Sequence, residues 1–173
     1  MFSINDTVMY GHTGVCKIVD ICSKEFNGKN QKYYVLCPEF ESKTTIYCPC
    51  DCEKIRMRKL LSPEEVNSLI QTMADEKTSW IENDQARKEK QLNIIRNGDH
   101  KELIQMIKTL YYKRKEKIAE GKKLHSTDEK AMEDAENLLY QEFAQVLDMK
   151  PEDVFTFITN KLHINEEKVN SNS

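Results

Sequence analysis

Residues 60–73 read LLSPEEVNSLIQTM, and the pattern of the chain changes inside this stretch. Ser62 is an N-cap residue, Pro63 suits the first helical position, and Glu65 completes the capping spacing three residues on. Val66, Leu69, Ile70 and Met73 then repeat at helical intervals, so a helix starts at Ser62-Pro63. Upstream, β-branched and aromatic residues come in short runs punctuated by turn residues. Strands are expected near residues 2–10, 15–26, 31–37 and 44–49, with Gly11 and Gly14 bracketing a turn and Asn27-Gly28 closing a hairpin. About sixty residues of short antiparallel strands suggest a small barrel of SH3 or Tudor type. The fold class is therefore α+β, a small antiparallel β-barrel followed by a compact all-α domain.

Downstream, helix signals follow one another. Ser79-Trp80-Ile81-Glu82 repeats the capping spacing and predicts a second helix over 79–96, which Asn97-Gly98-Asp99 interrupts. Asp99 with Glu102 starts a third helix with Leu103, Ile107, Leu110 and Tyr111 on its core face. Ser126 with Glu129 starts a fourth, whose Ala131, Ala135, Leu138, Leu139, Phe143 and Val146 form an apolar stripe. A fifth follows Pro151 and buries Val154, Phe155 and Ile158. Domains are expected at 1–61 and 62–165, with 166–173 a disordered polar tail. At 173 residues, such a chain buries roughly 70% of its unfolded surface and needs no covalent staple.

Charge is distributed unevenly. Residues 1–76 carry a net −2, residues 77–123 a net +6 and residues 124–173 a net −7, which together give the overall −3. The only tryptophan, Trp80, stands at the head of the cationic middle. On helical spacing Asn83 and Arg87 share its face, with Lys88 and Lys90 beside it. One reading packs Trp80 against a neighbouring helix and leaves the charges as a solvated surface; the other makes ring and charges a nucleic-acid contact.

Further residues bear on that choice. Phe2, Asp6, Val8, Tyr10-Gly11, Gly14-Val15 and Ile18, then Ile21, Gly28, Tyr33-Tyr34-Val35-Leu36, Cys48-Pro49, Ile55-Arg56 and Leu60-Leu61-Ser62 form a pattern resembling the CarD family of bacterial transcription regulators. It continues through Trp80, Asn97-Gly98-Asp99, Leu110, Glu129-Lys130 and Glu142-Phe143-Ala144, covering roughly residues 2–148. The resemblance implies a Tudor-like domain that binds the β subunit of RNA polymerase, and a helical domain that contacts promoter DNA without sequence preference. It gives Trp80 the role of a wedge in the minor groove at the upstream edge of the transcription bubble, tuning open-complex stability. At such a fork, stacking on the ring is worth about 1 to 3 kcal/mol, which favours the melted state.

The resemblance also implies site residues. Lys130 corresponds to a basic residue early in a later helix, and Arg87, Lys88 and Lys90 follow Trp80 on an interval about one helical turn longer than the family pattern. Lys24 falls where the family has a basic residue before the hairpin, whereas Tyr47 replaces a second one. The segment around Thr45, Ile46 and Tyr47 can still offer its strand edge to the polymerase. An adaptor that binds polymerase with Trp80 packed inside, and no DNA action, is the alternative. The implied protein is a monomer associated with the nucleoid through polymerase.

Other functions find less support. Cys37 and the run Cys48-Pro49-Cys50-Asp51-Cys52 place thiols at C-x-C-x-C spacing instead of the C-x₂₋₄-C of zinc knuckles, and an extended Cys48 and Cys52 stand about 13 Å apart. Free thiols are preferred over a metal site, although Pro49 permits a bend. His12, His100, His125 and His163 are scattered and no nucleophile or phosphate-loop motif occurs, so neither an enzyme nor a cofactor is expected. The N-terminal MFSINDTVMYG has neither a basic leader nor an apolar signal core, and no run reaches a membrane span. A cytoplasmic protein with reduced cysteines is the expectation.

Overall fold

The chain is described by a computed structural model, which covers residues 1–41, 43–51 and 57–171. Five strands are followed by five helices, and the chain divides into two compact units, Met1–Leu60 and Leu61–Ser173. No helix among the described residues is long and apolar enough to cross a membrane.

In the first unit, β1 (Thr7–Tyr10), β2 (Gly14–Phe26), β3 (Lys29–Pro38), β4 (Ile46–Pro49) and β5 (Met57–Lys59) form one antiparallel sheet in the order β4-β3-β2-β1-β5. Asn27 and Gly28 turn the β2–β3 hairpin with φ of 51° and 72°. Two positive φ values match the twist of the flanking strands, which is why Asn-Gly serves here. Cross-strand partners Ile18 and Leu36 are buried together with Val8, Cys16, Tyr34 and Cys48 in the core of this unit. A bulge between Ile18 and Asp20 shifts the register and leaves Val19 exposed.

Three features depart from the sequence expectation. Residues 2–6 are not strand: the Ser3 N–H donates to Asp6 Oδ2 at 2.8 Å and Asn5 adopts φ 75°, so a turn precedes β1. A fifth strand, too short to show alternation, pairs with β1. The described strands do not close into a barrel, because β4 and β5 are the two edges of the sheet. Cys52, Glu53 and Ile55-Arg56 lie outside the described residues.

In the second unit, α1 (Pro63–Thr72) opens with a reciprocal cap. The Glu65 N–H donates to Ser62 Oγ at 3.2 Å and the Ser62 N–H donates to Glu65 Oε2 at 2.7 Å. Leu61 belongs with the helices because its N–H donates to Glu142 Oε1 at 3.1 Å. Helices α3 (His100–Ala119), α4 (Ser126–Leu147) and α5 (Pro151–Ser171) supply Ile104, Leu139, Phe143, Val154 and Ile158, which bury against Val66 and Ile70 of α1. Each large side chain removed from water here stabilises by about 1.5–3 kcal/mol.

Several helix details also differ from the sequence reading. α4 is capped by His125 through its backbone alone, which puts Ser126 inside the helix instead of at its cap. Phe155, expected in the core, is 46% exposed. α5 continues to Ser171 through residues read as a polar tail, a segment that contains no glycine or proline to stop it.

Candidate nucleic-acid interface around Trp80

Helix α2 spans Asp84–Asn97, and its cap, Asn83, stands four residues after Ser79, the cap that the sequence spacing predicts. Asn83 is its N-cap, accepting from the Ala86 N–H at 2.8 Å, and Gly98 ends it at φ 66°. Ser79 to Glu82 therefore form the last part of the α1–α2 connection, and Trp80 sits on a loop. Trp80 thus does not share a helical face with Asn83 and Arg87, contrary to the expectation from a helix over 79–96. Arg87 nevertheless meets the ring, because the loop folds back over the first turn of α2.

That folding back is enforced by Arg87. The residue is only 6% exposed, and its guanidinium lies with Cζ 4.3 Å from the centroid of the Trp80 ring. Nη1 donates to the carbonyls of Ile81 at 2.9 Å and Glu82 at 3.4 Å, Nη2 to Asp84 Oδ1 at 2.7 Å, and Nε and Nη2 to the two oxygens of Asp128 at 2.8 and 2.9 Å. The fork of a guanidinium matches a carboxylate in this bidentate way, and few other side chains could satisfy so many acceptors at once. Gln91 adds a donor to Asp128 Oδ1 at 2.8 Å, so a buried polar cluster joins α2 to the start of α4. Burial pushes the Asp128 carboxyl up, but hydrogen bonds from Arg87 and Gln91 outweigh it and hold the group below the ordinary carboxylate range. The same bond to Asp128 raises the Arg87 pKa against the opposing effect of burial.

The rest of the loop is tied to α3. Lys108 Nζ donates to the carbonyls of Met73, Ala74 and Glu76 at 3.1, 2.7 and 2.7 Å. Gln105 Nε2 donates to Glu76 at 2.9 Å, and the Ser79 N–H donates to Thr109 Oγ1 at 3.1 Å. Lys113 brings a second cation within 4.9 Å of the Trp80 ring centroid. The ring is half-buried, with cations beside it and a hollow of about 110 Å³ beneath it lined by α2 and α3.

The expected basic residues fall on two sides of α2. Lys90 shares the Trp80 hollow and pairs with Glu102 of α3 at 3.1 Å. Lys88 instead lies with Lys130 along a groove between α2 and α4. Lys130 is exposed and is held to Asp134 at 2.8 Å, which raises its pKa. Asn83 is occupied by its cap, and Arg87 points inward. The sequence reading missed Lys113, Thr109 and Asp128, because each meets the Trp80 loop or Arg87 only through the tertiary fold. Asp128 reads in sequence as an ordinary first-turn acid of α4.

In the sheet unit, Lys24 Nζ lies 3.3 Å from the centroid of the Tyr47 ring. Tyr47 is 47% exposed on β4, and Thr45 precedes that strand directly. Ile46 and Tyr47 pair with Leu36 and Val35 of β3, and β4 is an edge of the sheet.

Two family profiles match the chain. The one described as the CarD-like/TRCF RID domain matches residues 2–61, and the one described as the CarD C-terminal domain matches residues 68–159. No individual curated protein matches significantly. The family is regulatory and non-enzymatic, and its profiles indicate no catalytic domain. With a matching sheet unit followed by a matching helical unit, the chain belongs to the CarD family of RNA polymerase-interacting transcription regulators.

Proposed function

We propose that the sheet unit, a Tudor-like module, binds the β subunit of RNA polymerase, and that the helical unit sets Trp80 against promoter DNA at the upstream edge of the bubble, tuning the lifetime of the open complex. The observation that carries this reading is the setting of Trp80: a half-buried ring on a loop fastened at Met73, Ala74, Glu76 and Ser79, with Arg87 and Lys113 beside it. An adaptor with no use for the ring would bury it. A ring inserted at a fork avoids most of the unstacking cost that an intact duplex imposes, so its affinity for the melted state exceeds that for the closed one.

Lys88, Lys90 and Lys130 supply the attraction to phosphates, which carries no sequence information. Arg87 and Asn83 serve from beneath, Arg87 by holding the ring's loop and Asn83 by starting the helix that bears Lys88 and Lys90. Thr45, Ile46 and Tyr47 lie along the β4 edge of the described sheet, where a partner strand can add, and Lys24 orients the Tyr47 ring. The chain acts in the cytoplasm as a monomer on polymerase.

The test compares Trp80→Ala with the wild-type chain for polymerase binding and open-complex lifetime. Binding is expected to be retained and the lifetime to change by about fivefold or more, corresponding to loss of about 1 to 3 kcal/mol of stacking. An unchanged lifetime in a folded variant that still binds polymerase removes the wedge and leaves the adaptor.

A further inference from the structure

Helices α3 and α5 stand on either side of α4, and between them runs a groove of about 300 Å³ floored by Glu136, Leu139 and Tyr140 of α4. Its walls carry Ile107, Tyr111 and Tyr112 from α3 and Phe155, Ile158 and Leu162 from α5. The volume falls at the lower end of the range typical of small-molecule sites, and aromatic and aliphatic walls are typical of them. Tyr112 and Phe155, 53% and 46% exposed, form its lips. Such exposure of large rings beside an open apolar slot marks a surface meant to be covered.

The polar groups of the groove indicate what covers it. Every buried side-chain nitrogen and oxygen among the described residues has a hydrogen-bond partner. At the floor of the groove the Glu136 carboxylate and the Tyr140 hydroxyl, one helical turn apart, stay open to solvent, and neither has a hydrogen bond or ion pair within the described residues. The neighbouring cations are already engaged. Lys108 is held by three carbonyls and Arg114 pairs with Glu129 at 3.4 Å. Partial burial raises the Glu136 pKa, opposed by the charge of Arg114 and reinforced by Glu129 and Glu133, so a further cation beside this carboxylate would be favourable. A carboxylate beside tyrosine rings is the arrangement that receives an ammonium or guanidinium.

We propose that this groove binds an amphiphilic organic cation, with an apolar body lying between α3 and α5 and a cationic head against Glu136. The groove and the Trp80 hollow share no lining residue, although Met73, Ala74 and Lys108 of the groove also fasten the Trp80 loop. Occupancy can therefore be read without reference to DNA or polymerase.

The probe is decyltrimethylammonium below its micelle concentration, added to the full chain, with decanoate as the control of equal chain length. Binding is followed by isoleucine methyl NMR signals. Saturable shifts at Ile104, Ile107 and Ile158 are expected with the ammonium, at least tenfold tighter than with decanoate, while the Ile4 and Ile21 signals of the sheet unit stay in place. Glu136→Gln is expected to bring the two probes to within about twofold of each other. This substitution lies at a half-exposed position, and its folding is checked by thermal melting; should it fail to fold, the comparison of probes on the wild-type chain decides alone. The proposal is overturned by equal binding of ammonium and decanoate, by the absence of saturable shifts, or by a preference for the ammonium that survives in folded Glu136→Gln.

Discussion

Replacing Asp128 with alanine removes one partner from a pair that has almost no contact with solvent. Arg87 is 6% and Asp128 2% exposed, and the two side chains meet in two hydrogen bonds of 2.8 and 2.9 Å. Truncation strands a guanidinium whose remaining partners are Asp84 and two loop carbonyls, and breaking a buried pair this way costs about 3–5 kcal/mol. A domain is stable by only about 5–15 kcal/mol, so a large part of the margin disappears. Urea denaturation followed by circular dichroism gives the free energy, and Trp80 emission in the folded baseline gives the state of the ring. The expected result is a loss of at least about 3 kcal/mol with emission shifted to longer wavelength, as the loop leaves Arg87. The combined change Arg87→Met and Asp128→Leu, which leaves no charge stranded, is expected to recover most of the stability but not the emission of the wild type. A loss below about 1 kcal/mol, the size of an exposed ion pair, together with unchanged emission, would refute the view that this pair fixes the loop.

Acid provides an independent check on the same carboxylate. Its folded pKa lies below the unfolded value of about 3.9, so its contribution is fully present above that value and is lost as pH falls through the folded pKa. Urea midpoints are accordingly expected to fall below about pH 4, with a smaller fall in Asp128→Asn. Ser62→Ala breaks the reciprocal cap of α1 and is expected to cost about 1 kcal/mol in thermal or urea melts without altering Trp80 emission. Lys88→Ala with Lys130→Ala, on the α2–α4 groove, is expected to weaken binding to forked DNA of any sequence and to reduce the log–log salt slope by about 2, as read by fluorescence anisotropy. An unaltered slope would place the phosphates elsewhere.

Much of this architecture was legible in the sequence wherever the signal was local. The cap at Ser62 and Glu65, the Asn27-Gly28 hairpin and the stop at Gly98 each depend on residues within a few positions of one another, and each stands where it was read. The start of α2 was not legible. Ser79 and Glu82 have capping spacing, but Asn83 offers a competing cap, and Arg87 draws the carbonyls of Ile81 and Glu82 away from helical geometry. β5 escaped notice because three residues cannot display a period, and its pairing with β1 crosses about fifty positions. At the site, Trp80 was conspicuous by its rarity and its charged surroundings. Its support was invisible, since Asp128 and Lys113 are brought in by helices far along the chain, and although a two-residue spacing puts Lys88 and Lys90 on different flanks of α2, only the tertiary fold sets Lys90 against α3 and Lys88 against α4.

The three carbonyls gathered by Lys108 bear on the thermodynamics of binding. Fixing a free loop against a ligand costs about 1–2 kcal/mol of conformational entropy per residue ordered. Here Met73, Ala74, Glu76 and Ser79 are already fastened to α3 when the domain folds, before any nucleic acid arrives. On the proposed function the ring would meet DNA as a rigid body, and its association should carry little unfavourable conformational entropy. The heat-capacity change should then scale with the apolar surface covered at the contact alone, with no added share from a loop that folds on binding.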